Sequence, residues 1–173
     1  MNYAETGKII LAGLVTTYSQ TGPQIKLNLP NCEFDFEKVK FLSNCKFLNK
    51  VIELDLSNNK FGHVGMLHFV QNDYYVNLKV LNLSGNKIED LGLKELADCR
   101  FLGNLETLIL SKNEIHPKGI RYFAECDFLT NLQVLDLSDN QIWSLGIKYL
   151  INCKFLSNLF ELNLKRNNID AEV

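Results

Sequence analysis

Hydrophobic and polar residues follow the same order six times along this chain. Five segments share the pattern LxLxxN and begin at Leu54, Leu81, Leu108, Leu135 and Leu162, each 27 residues after the one before. A sixth segment in the same frame begins at Leu27, with a cysteine in place of the asparagine. A fixed period of this length predicts a repeat architecture, in which each unit is stable only when packed on its neighbours.

Each unit contains two hydrophobic periods. Around Leu54 and Leu56 apolar residues alternate with polar ones, which is typical of a short strand with one buried face. After a turn, apolar residues recur at helical spacing, as at Leu93, Leu96 and Ala97. The unit is therefore predicted to be a strand, a turn, a helix and a return loop.

The two ends of the chain depart from this frame. Residues 1–22 precede it, and the spacing of Ile10, Leu14 and Tyr18 predicts a capping helix there. Residues 23–173 are predicted to form the repeat domain, whose last unit stops after Ile169 without a helix. Because repeat arrays normally need a polar terminal cap, we expect this edge to be covered by a second copy, by a partner or by a further domain.

The complete pattern, LxxLxLxxNxIxxxGxxxLxxCxFLxN, resembles the leucine-rich repeat, and its period and helical half are similar to the ribonuclease-inhibitor-like class. The resemblance covers about residues 24–169. It implies an α/β solenoid, a curved right-handed horseshoe segment with parallel strands on the concave side and helices on the convex side. It also implies a non-catalytic module that binds a partner protein. A recruitment or adaptor segment of a larger protein, of a ligase or bacterial effector type, is the alternative.

The residues that could carry chemistry do not form a catalytic or metal-binding pattern. A cysteine column occurs once per unit, which indicates small buried residues and not the close pairs of a metal site; it comprises Cys45, Cys99, Cys126 and Cys153. A serine column is predicted to bond nearby backbone at the strand ends; it comprises Ser57, Ser84, Ser111 and Ser138. The histidines do not recur at ligand spacing. We therefore expect neither an enzyme nor a bound cofactor or metal.

Charge and cysteine content restrict the partners and the location. Eighteen basic and 20 acidic residues give a net charge of −2, which does not favour nucleic acid or an anionic membrane as the main partner. The five cysteines are an odd number, which favours a reducing compartment. The apolar run after Lys8 is short for a signal peptide and is not followed by a typical cleavage site. A cytoplasmic location is expected, or a host cytoplasm if the protein is a secreted effector.

The side chains that the fold leaves free predict where a partner binds. On the strands, alternation directs a set of residues to the concave face: Glu53, Asp55, Val80, Asn82, Thr107, Ile109, Val134, Asp136 and Glu161. In the adjoining turns the candidates are Lys112, His116, Asp139 and Trp143. An apolar centre at Val80, Ile109 and Val134 inside an acidic rim is typical of a protein-binding surface. The rim at Asp55, Asp136 and Asp139 favours a partner with a basic or mixed surface.

Trp143 is the most specific single candidate. It is the only tryptophan, and it lies three residues after Asn140, where other units have Gly62, Glu89 or His116. Large aromatic residues anchor interfaces disproportionately, so a partner contact is predicted. Local packing over the adjacent turn is the alternative.

The predicted helices also carry a basic column on their outer side. Its members are Lys40, Lys94, Arg121 and Lys148, and the second unit interrupts it with Leu67. Such a column is usually a solvated face, and an anionic partner or membrane surface is the less common interpretation.

Overall fold

The computed structural model describes residues 3–19 and 22–170. Within them a single sheet contains seven strands in chain order: β1 (Leu14–Ser19), β2 (Gly22–Asn28), β3 (Val51–Asp55), β4 (Val80–Asn82), β5 (Thr107–Ile109), β6 (Val134–Asp136) and β7 (Glu161–Asn163). The helices are α1 (Tyr3–Gly13), α2 (Phe36–Ser43), α3 (Gly62–Phe69), α4 (Glu89–Ala97), α5 (Pro117–Phe123) and α6 (Trp143–Leu150). Short 3-10 turns lead from α2, α3, α4 and α6 toward the next strand, over Lys46–Lys50, Asp73–Tyr75, Arg100–Leu102 and Lys154–Asn158.

The register of the sheet confirms the repeat frame and the predicted α/β repeat solenoid. Strands β2 to β7 are parallel, and Leu54 pairs with Leu27 on one side and with Leu81 on the other. The same column continues through Leu108 and Leu135 to Leu162. Adjacent helices pack about 8–10 Å apart, whereas adjacent strands are only about 4.8 Å apart. The stack of units therefore curves, with the sheet on its concave side.

The N-terminal segment differs from the predicted capping helix. Helix α1 ends at Gly13, and Leu14 and Tyr18 belong to strand β1, which pairs antiparallel with β2. A Cβ atom on Gly13 would come within 2.6 Å of Leu29 Cδ2, so only glycine lets the chain approach β2 this closely. The β-branched Val15 and Thr16 then favour an extended chain. The helical spacing of Ile10, Leu14 and Tyr18 was therefore misleading after Gly13.

A buried asparagine column connects successive units beside the leucine core. Its members are Asn59, Asn86, Asn113, Asn140 and Asn167. Asn113 is typical, because its Oδ1 accepts the backbone N–H groups of Asn86 and Ile88 at 2.9 and 3.3 Å. Its Nδ2 donates to three carbonyls, those of Leu83, Leu110 and Ser111. Each asparagine thus supplies partners for buried backbone where the strand turns toward the helix.

The serine column does not act as predicted. The backbone N–H of Ser57 donates to Asp55 Oδ1 at 2.8 Å, and that of Ser138 donates to Asp136 Oδ1 at 2.8 Å. At these strand ends, and at Ser84 with Asn82, the side chain that bonds the backbone is therefore the aspartate or asparagine two residues earlier and not the serine hydroxyl. Ser57 and Ser138 are buried and do not line the open concave face.

An exposed asparagine column lies on the other side of the unit, in the return loops between each helix and the next strand. Its members are Asn77, Asn104, Asn131 and Asn158. Asn104 Nδ2 donates to the Val76 carbonyl at 2.7 Å, and the other three make the equivalent bond to the preceding unit. Each of these bonds ties one return loop to the loop before it.

Glycine is required in the helices for close packing. Gly65, Gly92, Gly119 and Gly146 are buried one turn into helices α3 to α6. A Cβ atom on Gly92 would lie 2.6 Å from Ile88 Cγ2 and 3.2 Å from Met66 Cγ in the preceding helix. The glycines therefore set how closely each helix packs on its neighbour.

The cysteine column is largely buried at the helix ends. Cys99, Cys126 and Cys153 are buried, whereas Cys45 is half-buried. Burial raises the pKa of the Cys99 thiol and of the Cys153 thiol to about 12, and it also raises the pKa of Cys126. These thiols are protonated at neutral pH and pack as small apolar groups.

Candidate functional site

The sheet brings the predicted strand residues together on one surface. Val80, Thr107 and Val134 are direct neighbours on β4, β5 and β6, and Ile109 lies between Asn82 and Asp136 in the adjacent row. All of these side chains are half-buried. We call Val80, Thr107, Ile109 and Val134 the concave patch. Its continuity over three strands follows from the strict register, since a slip of one residue would turn every one of these side chains inward.

Three carboxylates surround the concave patch and have no ion-pair partner within the described residues. Asp55 lies on β3, Asp136 on β6 and Glu161 on β7. We call these three the concave carboxylates. Asp55 and Asp136 each use one oxygen to accept a backbone N–H, which leaves the other oxygen available. The patch is therefore apolar at its centre and anionic on two sides.

Two other predicted acidic residues already have partners. Glu53 forms an ion pair with Lys26 at 2.7 Å, and Asp139 bonds Arg166 at 3.1 Å. Both pairs join equivalent positions of adjacent units, 27 residues apart. The acidic rim is thus narrower than the sequence predicted, because Asp139 faces a cation of its own chain.

The predicted turn residues form a second cluster at the start of the helices. The rings of His116 and Trp143 meet edge to face, with centroids 5.9 Å apart and planes at 72°. The backbone N–H of His116 donates to Asp90 Oδ1 at 2.8 Å. The local packing considered as an alternative for Trp143 is therefore present, and 44% of the tryptophan nevertheless stays exposed. Lys112 is exposed in the same series of turns, at the strand side.

The backbone at Trp143 is unusual for an aromatic residue. Its φ is +49°, in the left-handed region, and the equivalent residue of the second unit is Gly62, with φ +67°. Because a Cβ atom disfavours this region, a bulky side chain here is strained by about 1–2 kcal/mol. A strained, half-exposed aromatic residue points to a role outside the folded core.

Phe160 is a candidate that sequence reasoning missed. It immediately precedes β7, and 87% of it is exposed. The equivalent residues of the inner units are Ile52, Lys79, Glu106 and Gln133. Reading this column in the sequence would have shown an aromatic residue where three other units have polar ones. Phe160 lies directly before Glu161, at the start of the last strand.

Within the described ranges, none of the helices has the length and apolar character of a membrane-spanning segment. The seven strands and the short helices instead form repeated units with one continuous leucine core.

Comparison with known families identifies the repeat. A leucine-rich repeat family model matches residues 76–97, 104–124 and 128–150, which are three successive units. One similar solved structure is the leucine-rich repeat ectodomain of the plant membrane receptor kinase GASSHO1/SCHENGEN3 from Arabidopsis thaliana, in complex with Casparian strip integrity factor 2. The identity is 22% and the TM-score 0.35, over 71% of this chain and 19% of that one. No curated protein matches the sequence.

The fold is thus that of a repeat solenoid with a free strand face. The chain thus contains three successive leucine-rich repeats, and the buried asparagine column continues the same pattern from Asn59 to Asn167. The chain spans about a fifth of the length of the receptor ectodomain that it resembles. Leucine-rich repeat domains are generally non-catalytic interaction modules.

Proposed function

We propose that this protein binds a partner protein on the concave patch and the adjoining turns. The observation that carries the proposal is a continuous half-buried surface over β4, β5 and β6, apolar at Val80, Ile109 and Val134, with available carboxylates on both sides. Solvent contact with such a surface is unfavourable, and association removes it. The concave carboxylates favour a partner segment that presents apolar side chains flanked by lysine or arginine.

Trp143, in the turn after β6, and Phe160, just before β7, are exposed aromatic residues near the two ends of these strands. Tryptophan and phenylalanine bury a large area at a small cost in side-chain entropy, so they serve as anchors when a partner covers them. The strained backbone of Trp143 supports this role, since glycine would relieve the strain but would remove the anchor.

Site-specific photocrosslinking tests the proposal directly. A photoreactive phenylalanine analogue at position 109 should capture a partner in a cell extract, whereas the same group at Leu145, exposed on α6, should not. The Glu161→Arg substitution should weaken capture at position 109, because it reverses one concave carboxylate without removing a backbone bond. Equal capture at positions 109 and 145 would place the interface elsewhere and refute the proposal.

Trp143→Gly separates binding from folding. The substitution removes the ring contact with His116 and relieves the left-handed strain, so the free energy of unfolding should change by less than about 1 kcal/mol. Capture at position 109 should fall all the same. An unchanged capture would show that Trp143 only packs locally.

The proposal also covers the class of leucine-rich repeat and the compartment in which the protein acts. The short helix in every complete unit supports the ribonuclease-inhibitor-like class of leucine-rich repeats. Five free cysteines support the cytoplasm or another reducing compartment. The recruitment or adaptor role in a larger protein, the absence of nucleic-acid and membrane partners, and association through the C-terminal edge all stay predictions.

A further inference from the structure

The convex side carries an apolar patch where the basic column is interrupted. Val64 and Leu67 on α3 and Leu91 on α4 are each between 40% and 49% exposed. We call these three residues the convex patch. In the row of Leu67 the adjacent helices have Lys40 and Lys94. In this row the patch is therefore apolar at its centre with a cation on each side, whereas the row of Val64 and Leu91 is bounded by Glu37 on α2 and Lys118 on α5.

Helix α3 differs from its neighbours in having no acidic residue, lysine or arginine. Its eight residues are Gly62–Phe69, and its only ionisable side chains are those of His63 and His68. His63 lies 3.9 Å from a Glu89 carboxylate oxygen, and His68 stacks on Phe36. A helix with apolar residues on its outer side as well as its inner side is expected to be covered by another surface.

The cations beside the convex patch remain available for an external partner. Within the described residues Lys40 has no ion pair. Lys94 lies 4.0 Å from Asp98, the residue directly after its helix, and this exposed pair competes weakly with other anions. The ligand chemistry that fits this surface is an apolar centre with carboxylates on both sides.

The concave face of the same chain has that chemistry at a matching spacing. Asp55 on β3 and Glu161 on β7 are four strand steps apart, or roughly 19 Å, with the concave patch between them. Lys40 on α2 and Lys94 on α4 are two helix steps apart, or roughly 16–20 Å, with Leu67 between them. When the two surfaces face each other, the convex patch lies on the concave patch, and Lys40 and Lys94 each lie opposite a concave carboxylate.

From this complementarity we infer that the convex patch of one copy docks on the concave patch of a second copy. The contact is heterologous, so every assembly keeps one free concave patch and one free convex patch at its ends, and open head-to-tail chains grow with concentration. This inference does not depend on a foreign partner. A foreign protein on the concave patch would compete with the second copy.

Sedimentation velocity on the full chain, from micromolar to near-millimolar concentration, tests the inference. The average mass should rise with concentration for the wild-type chain and should fall again at high salt, because charge pairs contribute to the contact. Leu67→Lys, which completes the basic column, should weaken self-association about tenfold or more. Ile109→Lys should do the same from the concave side.

Mixing the two variants provides the sharpest measurement. Leu67→Lys keeps an intact concave patch and Ile109→Lys keeps an intact convex patch, so an equimolar mixture should form a dimer that cannot grow. Thr107→Lys replaces Ile109→Lys if the latter unfolds, as judged by circular dichroism. Leu145→Lys on α6 and Asn28→Lys on β2 are matched controls, exposed on the same two sides of the chain but outside both patches.

Several outcomes would overturn the inference. A wild-type chain that stays monomeric at all concentrations would do so. If both variants still self-associated, the inference would also be wrong, and the contact would be assigned to the C-terminal edge instead. A mixture in which no dimer forms would exclude the head-to-tail arrangement. None of these results bears on the photocrosslinking of a foreign partner at position 109, which tests the proposed function separately.

Discussion

Asparagine recurs on both sides of each unit, and the two columns hold the units together in different ways. In the buried asparagine column Asn113 makes five hydrogen bonds, to backbone groups of its own unit and of the preceding one. In the exposed asparagine column Asn104 makes one, to the Val76 carbonyl. The same side chain is thus indispensable where the backbone is shielded from water and replaceable where water can take its place.

Asn113→Ala should produce the largest loss of stability in this comparison. The substitution leaves the N–H groups of Asn86 and Ile88 buried without an acceptor, which should lower the free energy of unfolding by about 3 kcal/mol. Urea unfolding followed by circular dichroism measures the difference. A loss below about 1 kcal/mol would mean that water enters the turn and replaces the amide.

Gly92→Ala should cause the second-largest loss of stability. The new Cβ atom would overlap Ile88 and press on Met66, so we expect a loss of about 2 kcal/mol from overpacking. Thermal unfolding of the variant beside the wild-type chain measures this loss. Unchanged stability would show that α3 and α4 can separate without penalty.

Asn104→Ala tests the exposed column with the same chemical change as Asn113→Ala. Because water can bond the Val76 carbonyl in place of the amide, the expected loss is about 0.5 kcal/mol. The urea midpoints of the two alanine variants give the comparison directly. Equal midpoints would show that burial does not make the buried column more important for stability than the exposed one.

Gly103→Ala should have an effect as small as that of Asn104→Ala, but of the opposite sign. Gly103 follows the 3-10 turn beside the exposed column with φ −61°, and the nearest atom to an added Cβ is the Phe128 carbonyl oxygen at 3.5 Å. Alanine fits this conformation and restricts the unfolded chain, so stability should rise by about 0.5 kcal/mol. A loss comparable to that of Gly92→Ala would show hidden crowding in the return loop.

The strict period is what made most of this fold predictable. Once Leu54 and Leu81 are placed 27 residues apart, the pairing of their strands, the direction of their side chains and the burial of Asn86 all follow. Strand β1 could not be found in this way, because Leu14–Ser19 has no counterpart in any other unit. Its placement depends on a tertiary contact at Gly13.

The candidate site was less predictable than the fold, because its details depend on geometry between columns. Alternation was enough to place Val80, Ile109 and Val134 on one face. The pairing of Asp139 with Arg166 depends on side-chain reach, although a spacing of 27 residues could have suggested it. The positive φ of Trp143 has no signal in a single sequence apart from the glycine in the same column.

The asparagine column has a consequence for how the molecule responds to mechanical force. Each buried asparagine bonds only its own unit and the adjacent one, over separations of no more than 30 residues. Tension applied to the two ends therefore loads the junctions between units in series, and an end unit detaches while the others stay intact. Each detached unit of 27 residues adds roughly 90 Å of contour length, so the chain should extend under load in regular steps of that size.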